Sequence, residues 1–78
     1  MVQWNKVCIS DEAIQSAAEW NGITRDEAFD LLLDLLELGQ HARFRGSNLG
    51  LELYRIENEY LYLKDMTLVR YGRRKHYS

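Results

Sequence analysis

Proline is absent from the 78 residues and cysteine occurs once, as Cys8. Without proline there is no proline-rich linker or polyproline segment. A lone cysteine closes no intrachain disulfide, so the fold must stand on its core, and no oxidising compartment is implied. Cys8 reads as a small buried apolar residue in a strand. Together with His41 and His76 it makes too few and too widely spaced ligands to close a zinc site. No stretch approaches the ~18 apolar residues that a membrane span needs. The opening residues MVQWNKVCIS lack the basic and apolar regions of a secretory signal. The expectation is a cytoplasmic protein with no membrane partner. No Walker loop, GxGxxG, HExxH, GxSxG or CxxC motif occurs. The chain is therefore read as a non-enzyme, with no cofactor, no metal and no small-molecule substrate.

A hydrophobic content of 46%, with 12% aromatic residues, describes a packed globule and not a disordered chain. The length allows a single domain, 1–78. The net charge of −2 hides a split. The first forty residues carry the acids Asp11, Glu12, Glu19, Asp26, Glu27, Asp30, Asp34 and Glu37 against the bases Lys6 and Arg25. The remainder carries Arg43, Arg45, Arg55, Lys64, Arg70, Arg73, Arg74 and Lys75 against Glu52, Glu57, Glu59 and Asp65. Each half can thus present its own field, or the two can neutralise each other by packing together.

Residues 2–9, rich in β-branched and aromatic side chains, predict a short strand. Ser10 is a good N-cap for a helix running to about Trp20, with Ile14, Ala17 and Ala18 on one face and Asn21-Gly22 as the stop. Thr24-Arg25-Asp26-Glu27 forms a capping box, so a second helix starts at Arg25 and ends at Gly39. Residues 40–45, 51–57, 59–64 and 66–71 read as strands, separated by a glycine turn at 46–50 and weaker turns at 57–59 and 64–65. In 59–64, alternation places Tyr60 and Tyr62 on one face and Leu61 and Leu63 on the other. The basic tail, 73–78, reads as a flexible end. The fold class expected is α+β: a short N-terminal strand, two helices, then an antiparallel C-terminal hairpin or meander.

Ala18, Gly22, Ile23, Ala28 and Leu31 stand at the spacing of a helix-turn-helix, in which a small residue permits close helix crossing and a glycine makes the tight turn. With 40–45, the glycine turn and 51–56 as strands and loop of a wing, residues 11–56 resemble a winged-helix domain. A second resemblance is to ribbon-helix-helix repressors, in which Gln3, Asn5 and Lys6 would be the strand residues that read DNA. Against that family, the first helix is about a turn short, and the residues after Gly39 are an addition. Both resemblances imply DNA binding. The chain departs from both in the second helix, where the positions that would face DNA are Arg25, Asp26, Phe29, Asp30 and Leu33. Affinity for DNA comes largely from lysine and arginine contacts to phosphate, and an acidic helix is repelled.

On a wheel at ~100° per residue, Asp26, Glu27, Asp30, Asp34 and Glu37 fall within roughly 100°, and apolar residues fill roughly 220°. That apolar arc is wider than an ordinary surface helix shows. The helix is either covered on two sides or meets a partner, including a second copy of the chain. The acidic stripe is either a solvated face or a docking face, Asp26, Asp30, Asp34 and Glu37, for a basic protein surface. Arg43, Arg45, Arg70, Arg73, Arg74 and Lys75, interleaved with aromatics, are either a solubilising run or contacts to DNA or RNA. The leading expectation is a small regulator that associates with nucleic acid through the wing and the basic C-terminal segment. The other is a protein-binding adaptor or inhibitor, of the kind encoded by phages, docking through 25–38.

Overall fold

The computed structural model describes residues 2–73. A 3-10 turn, Trp4–Lys6, leads into strand β1 (Cys8–Ile9), helix α1 (Asp11–Asn21) and helix α2 (Arg25–Glu37). A second 3-10 turn, Gly39–His41, opens a run of four strands: β2 (Arg43–Asn48), β3 (Leu51–Ile56), β4 (Glu59–Lys64) and β5 (Thr67–Arg73). The fold is α+β, with two helices and one five-stranded sheet ordered β1-β5-β4-β3-β2. The chain enters at one edge, crosses through the helices, re-enters at the far edge and meanders back. β1 closes the circuit by pairing parallel to β5, Cys8 with Thr67 and Ile9 with Leu68.

Local chemistry sets the helix ends. Ser10 Oγ accepts the Ala13 amide at 3.1 Å, and Gly22, at φ 62°, ends α1 in the left-handed conformation that glycine adopts without a Cβ penalty. Thr24 Oγ1 accepts the Glu27 amide at 3.2 Å while Glu27 Oε1 accepts the Thr24 amide at 3.2 Å, a complete capping box. Ala13, Ala17, Ala18 and Ala28 are buried where the helices meet each other and the sheet. They pack with Leu32 and Leu35 onto Ile56, Leu61, Leu63, Leu68 and Tyr71. Full burial of a leucine such as Leu32, Leu61 or Leu68 contributes about 2 kcal/mol.

Several expectations are corrected. The strand over 2–9 is only Cys8–Ile9; the chain before it turns. That turn swings Trp4 onto Gly39 and edge-on to Tyr54, with ring centroids 5.1 Å apart at 83°. There the half-buried indole packs against the core cluster. Gly39 follows α2 as expected, but it does not take a left-handed conformation. It is needed because a Cβ would run into the Trp4 ring. Cys8 is exposed, not buried. The strand placed at 40–45 begins at Arg43, and the turn placed at 46–50 narrows to Leu49 and Gly50, at φ 53° and 80°. Two left-handed residues make the turn whose twist suits a hairpin. The sheet is larger than a C-terminal hairpin, since β1 joins four antiparallel strands.

Candidate functional site

The two faces of the sheet differ in kind. Ile56, Leu61, Leu63, Leu68 and Tyr71 point to the helices. The alternate residues form the outer face, and the strand register assembles them into two rows. One row runs Gly46, Leu53, Tyr62, Arg70; the other runs Arg43, Arg55, Tyr60, Gly72. No acid stands in either row. A Cβ at Gly72 would meet Tyr62 Cε2 at 3.6 Å and Tyr60 Cβ at 3.9 Å, so the tyrosines lie beside a bare stretch of backbone. Lys64 continues the Tyr60–Tyr62 alternation at the end of β4.

Two bulges determine which arginines reach this face. In β2, the register shifts between Phe44 and Gly46, so Arg45 and Gly46 together oppose Leu53. His41, Arg43, Arg45, Arg55 and Glu57 line a cleft of about 330 Å³. Arg43 and Arg55 are directly opposite one another, an arrangement of like charges that costs stability. Arg55 is held in place, its Nε donating to the Glu57 carbonyl at 2.6 Å. In β5, the register shifts as Leu63 pairs with Leu68 but Tyr62 pairs with Arg70. Val69 is the extra residue. Simple alternation from the buried Leu68 would turn Arg70 inward; the bulge re-phases the strand, so Arg70 is exposed on the outer face and Tyr71 is fully buried.

The same re-phasing sends Arg73 the other way. It is the last residue of β5, opposite Glu59, and donates to Asn21 Oδ1 at 2.8 Å. Asn21 Nδ2 in turn donates to the Tyr71 hydroxyl at 3.3 Å. Burial raises the pKa of Tyr71 above its ordinary value, and raises that of Glu59 despite the opposing pull of Arg73. Arg73 thus ties the end of the sheet to α1 and is separate from Arg43, Arg45 and Arg70. Arg74 and Lys75, with the rest of the tail expected to be flexible, lie outside the described residues.

Asp26, Asp30, Asp34 and Glu37 are all exposed on α2. Among the described residues the ion pair shown is Arg25 with Asp11, at 3.4 Å and largely in solvent, a geometry worth little. The positions that would face DNA in a helix-turn-helix, Arg25, Asp26, Phe29, Asp30 and Leu33, are exposed as well. No arginine from the C-terminal half screens them among the described residues.

Arg55 and Lys64 carry no signal in the sequence that marks them as site residues, and alternation leaves the Tyr60–Tyr62 face either a contact surface or one covered by the helices. The shared face of Tyr60 and Tyr62 was legible from alternation, but not that the helices cover the opposite face. Among the described residues no group of three His, Cys, Asp or Glu side chains is arranged to hold a metal ion, and no helix is long and apolar enough to cross a membrane. No protein-family model, curated protein or solved structure matches the chain.

Proposed function

We propose that this protein is a non-catalytic regulator that binds single-stranded nucleic acid across the outer face of its sheet. The observation that supports this most is the pair of cross-strand rows, which set Arg55 beside Tyr60 and Arg70 beside Tyr62 with no acid in either row. Tyrosine rings offer stacking surfaces to unpaired bases, and arginines hold the phosphates between them. Arg43, Arg45 and Arg55 around their cleft take one end of the backbone; Arg70 and Lys64 take the other. The four strands β2–β5 span about 14 Å, room for two or three stacked nucleotides. Arg74 and Lys75 follow β5 in sequence and add positive charge.

Single strands are favoured over duplex for two reasons. Stacking on tyrosine requires unpaired bases, and α2, the helix that would enter a groove, carries Asp26 and Asp30 where phosphates would lie. In this reading the helix-turn-helix-like pair, winged or not, is the support for the sheet and not the reader. The acidic helical layer also orients the molecule, turning the basic face toward a polyanion.

The test is fluorescence anisotropy with a labelled oligouridine, its DNA counterpart and a duplex, over a range of salt. The expected result is salt-sensitive binding, tighter to the single strands, that weakens on Tyr62→Ala without a change in salt slope. Binding to duplex alone, or no salt-sensitive binding to any of the three, would remove the proposal.

A further inference from the structure

We infer a second surface, on the helical layer: a docking site for a basic amphipathic helix of a partner protein. α2 presents Asp26, Phe29, Asp30, Leu33 and Glu37 as one exposed stripe at helical spacing. Phe29 and Leu33 are 41% and 42% exposed, two large apolar side chains adjacent on one face. The stripe joins two hollows. One, of about 660 Å³, lies between α2 and the first 3-10 turn; Val2, Trp4, Val7, Leu33 and Leu36 give it an apolar lining, and Glu37 is among the polar residues that complete it. The other, of about 440 Å³, is lined by Ile14, Arg25, Asp26, Phe29 and Asp30. Along the helix, Phe29 and Leu36 are separated by about 10 Å. Two apolar anchors seven residues apart on a second helix have the same separation, and such anchors are how an amphipathic helix seats in a groove.

Charge identifies the occupant. The stripe carries Asp26, Asp30 and Glu37, with Asp34 beside it, and none has an ion-pair partner among the described residues. Its base, Arg25, is engaged by Gln15 Oε1 at 3.0 Å and by Asp11. These acids repel each other at neighbouring turns, and Asp34 and Glu37 sit at the helix end where negative charge is unfavourable. A second copy meeting this surface across a two-fold axis would bring the same acids face to face. A helix with lysines or arginines flanking its leucines would neutralise them and fill both hollows. The site is independent of the sheet face, so the protein would bridge a nucleic acid and a basic partner.

The test uses synthetic helical peptides with leucines at i, i+3, i+4 and i+7, one carrying lysine and one glutamate at the flanking positions, followed by amide shifts of the isotope-labelled protein. The lysine peptide is expected to saturate shifts in α2 and the first 3-10 turn, and the glutamate peptide to bind about tenfold or more weakly. Leu33→Asp should abolish these shifts and Glu37→Lys should weaken binding; both positions are exposed, and unchanged shifts elsewhere report an intact fold. Equal affinity for the two peptides, shifts confined to the sheet, or self-association that Leu33→Asp removes would each overturn the inference. Failure here would leave oligonucleotide binding by the sheet untouched.

Discussion

Replacing Arg43 by glutamine removes one of two like charges placed directly opposite each other on neighbouring strands. Arg55 cannot swing away without losing its 2.6 Å bond to the Glu57 carbonyl; Arg45 adds a third positive charge to the cleft, and the Glu57 side chain, which also lines it, offsets only part of that excess. Relieving a directly opposed like-charge pair is worth about 0.5 kcal/mol. In a domain of this size that raises Tm by about 2–4 °C. The gain should be largest at low salt and shrink toward zero near 1 M, where the screening length falls to about 3 Å. If the cleft holds a phosphate as proposed, the same substitution removes one contact, and the slope of log affinity against log salt for a single strand should fall by about 0.7. Thermal unfolding followed by circular dichroism at low and high salt gives the first quantity, and anisotropy titrations give the second. A more stable protein that binds less well is the mark of charges held together for an anionic ligand. A lower Tm, or a gain in Tm indifferent to salt, would show that Arg43 and Arg55 do not strain each other, and the reading of the cleft as an anion site would lose its basis.

Gly39→Ala should cost about 1–3 kcal/mol, the usual effect of overpacking, because its Cβ meets the Trp4 ring; denaturant titrations should show most of that cost gone in a Trp4→Ala background. Leu49→Asn should raise the denaturation midpoint, because Leu49 is 91% exposed at φ 53° and asparagine tolerates that conformation better by up to about 1 kcal/mol; an unchanged or lower midpoint would argue against strain there. Glu59 carries a pKa raised above 4.5 by burial, so the folded state holds its proton more tightly than the unfolded chain does. The associated stability is present below pH 4.5 and is lost as pH rises through the folded value. Glu59→Gln should therefore gain stability relative to the parent as pH climbs through that window, and a difference that stays flat or runs the other way would contradict the assignment.

The helical half was legible because its signals act within four residues. Ser10 reaches Ala13, Thr24 and Glu27 reach each other, and Gly22 acts on its own backbone. The meander was legible as alternation, and Arg43, Arg45 and Arg70 could be placed on strands. The grouping of these arginines was not legible, because bulges at Arg45 and Val69 reset which face each residue takes, and a bulge is a property of two paired strands. The separation of Arg70 from Arg73 follows from one such reset. Trp4 was misassigned to a strand for a related reason: its burial depends on Gly39, Tyr54 and the end of α2, all distant in sequence.

Read alone, the chain determined its helix boundaries, the four C-terminal strands and the division of acids from bases, since capping, periodicity and charge are written into neighbouring residues. Which sheet face stayed open was a tertiary decision. Leu61 and Leu63 on one side and Tyr60 and Tyr62 on the other are both apolar enough to take a helical layer. Only the packing of the alanine-lined helices onto Leu61, Leu68 and Tyr71 left the tyrosines and arginines uncovered.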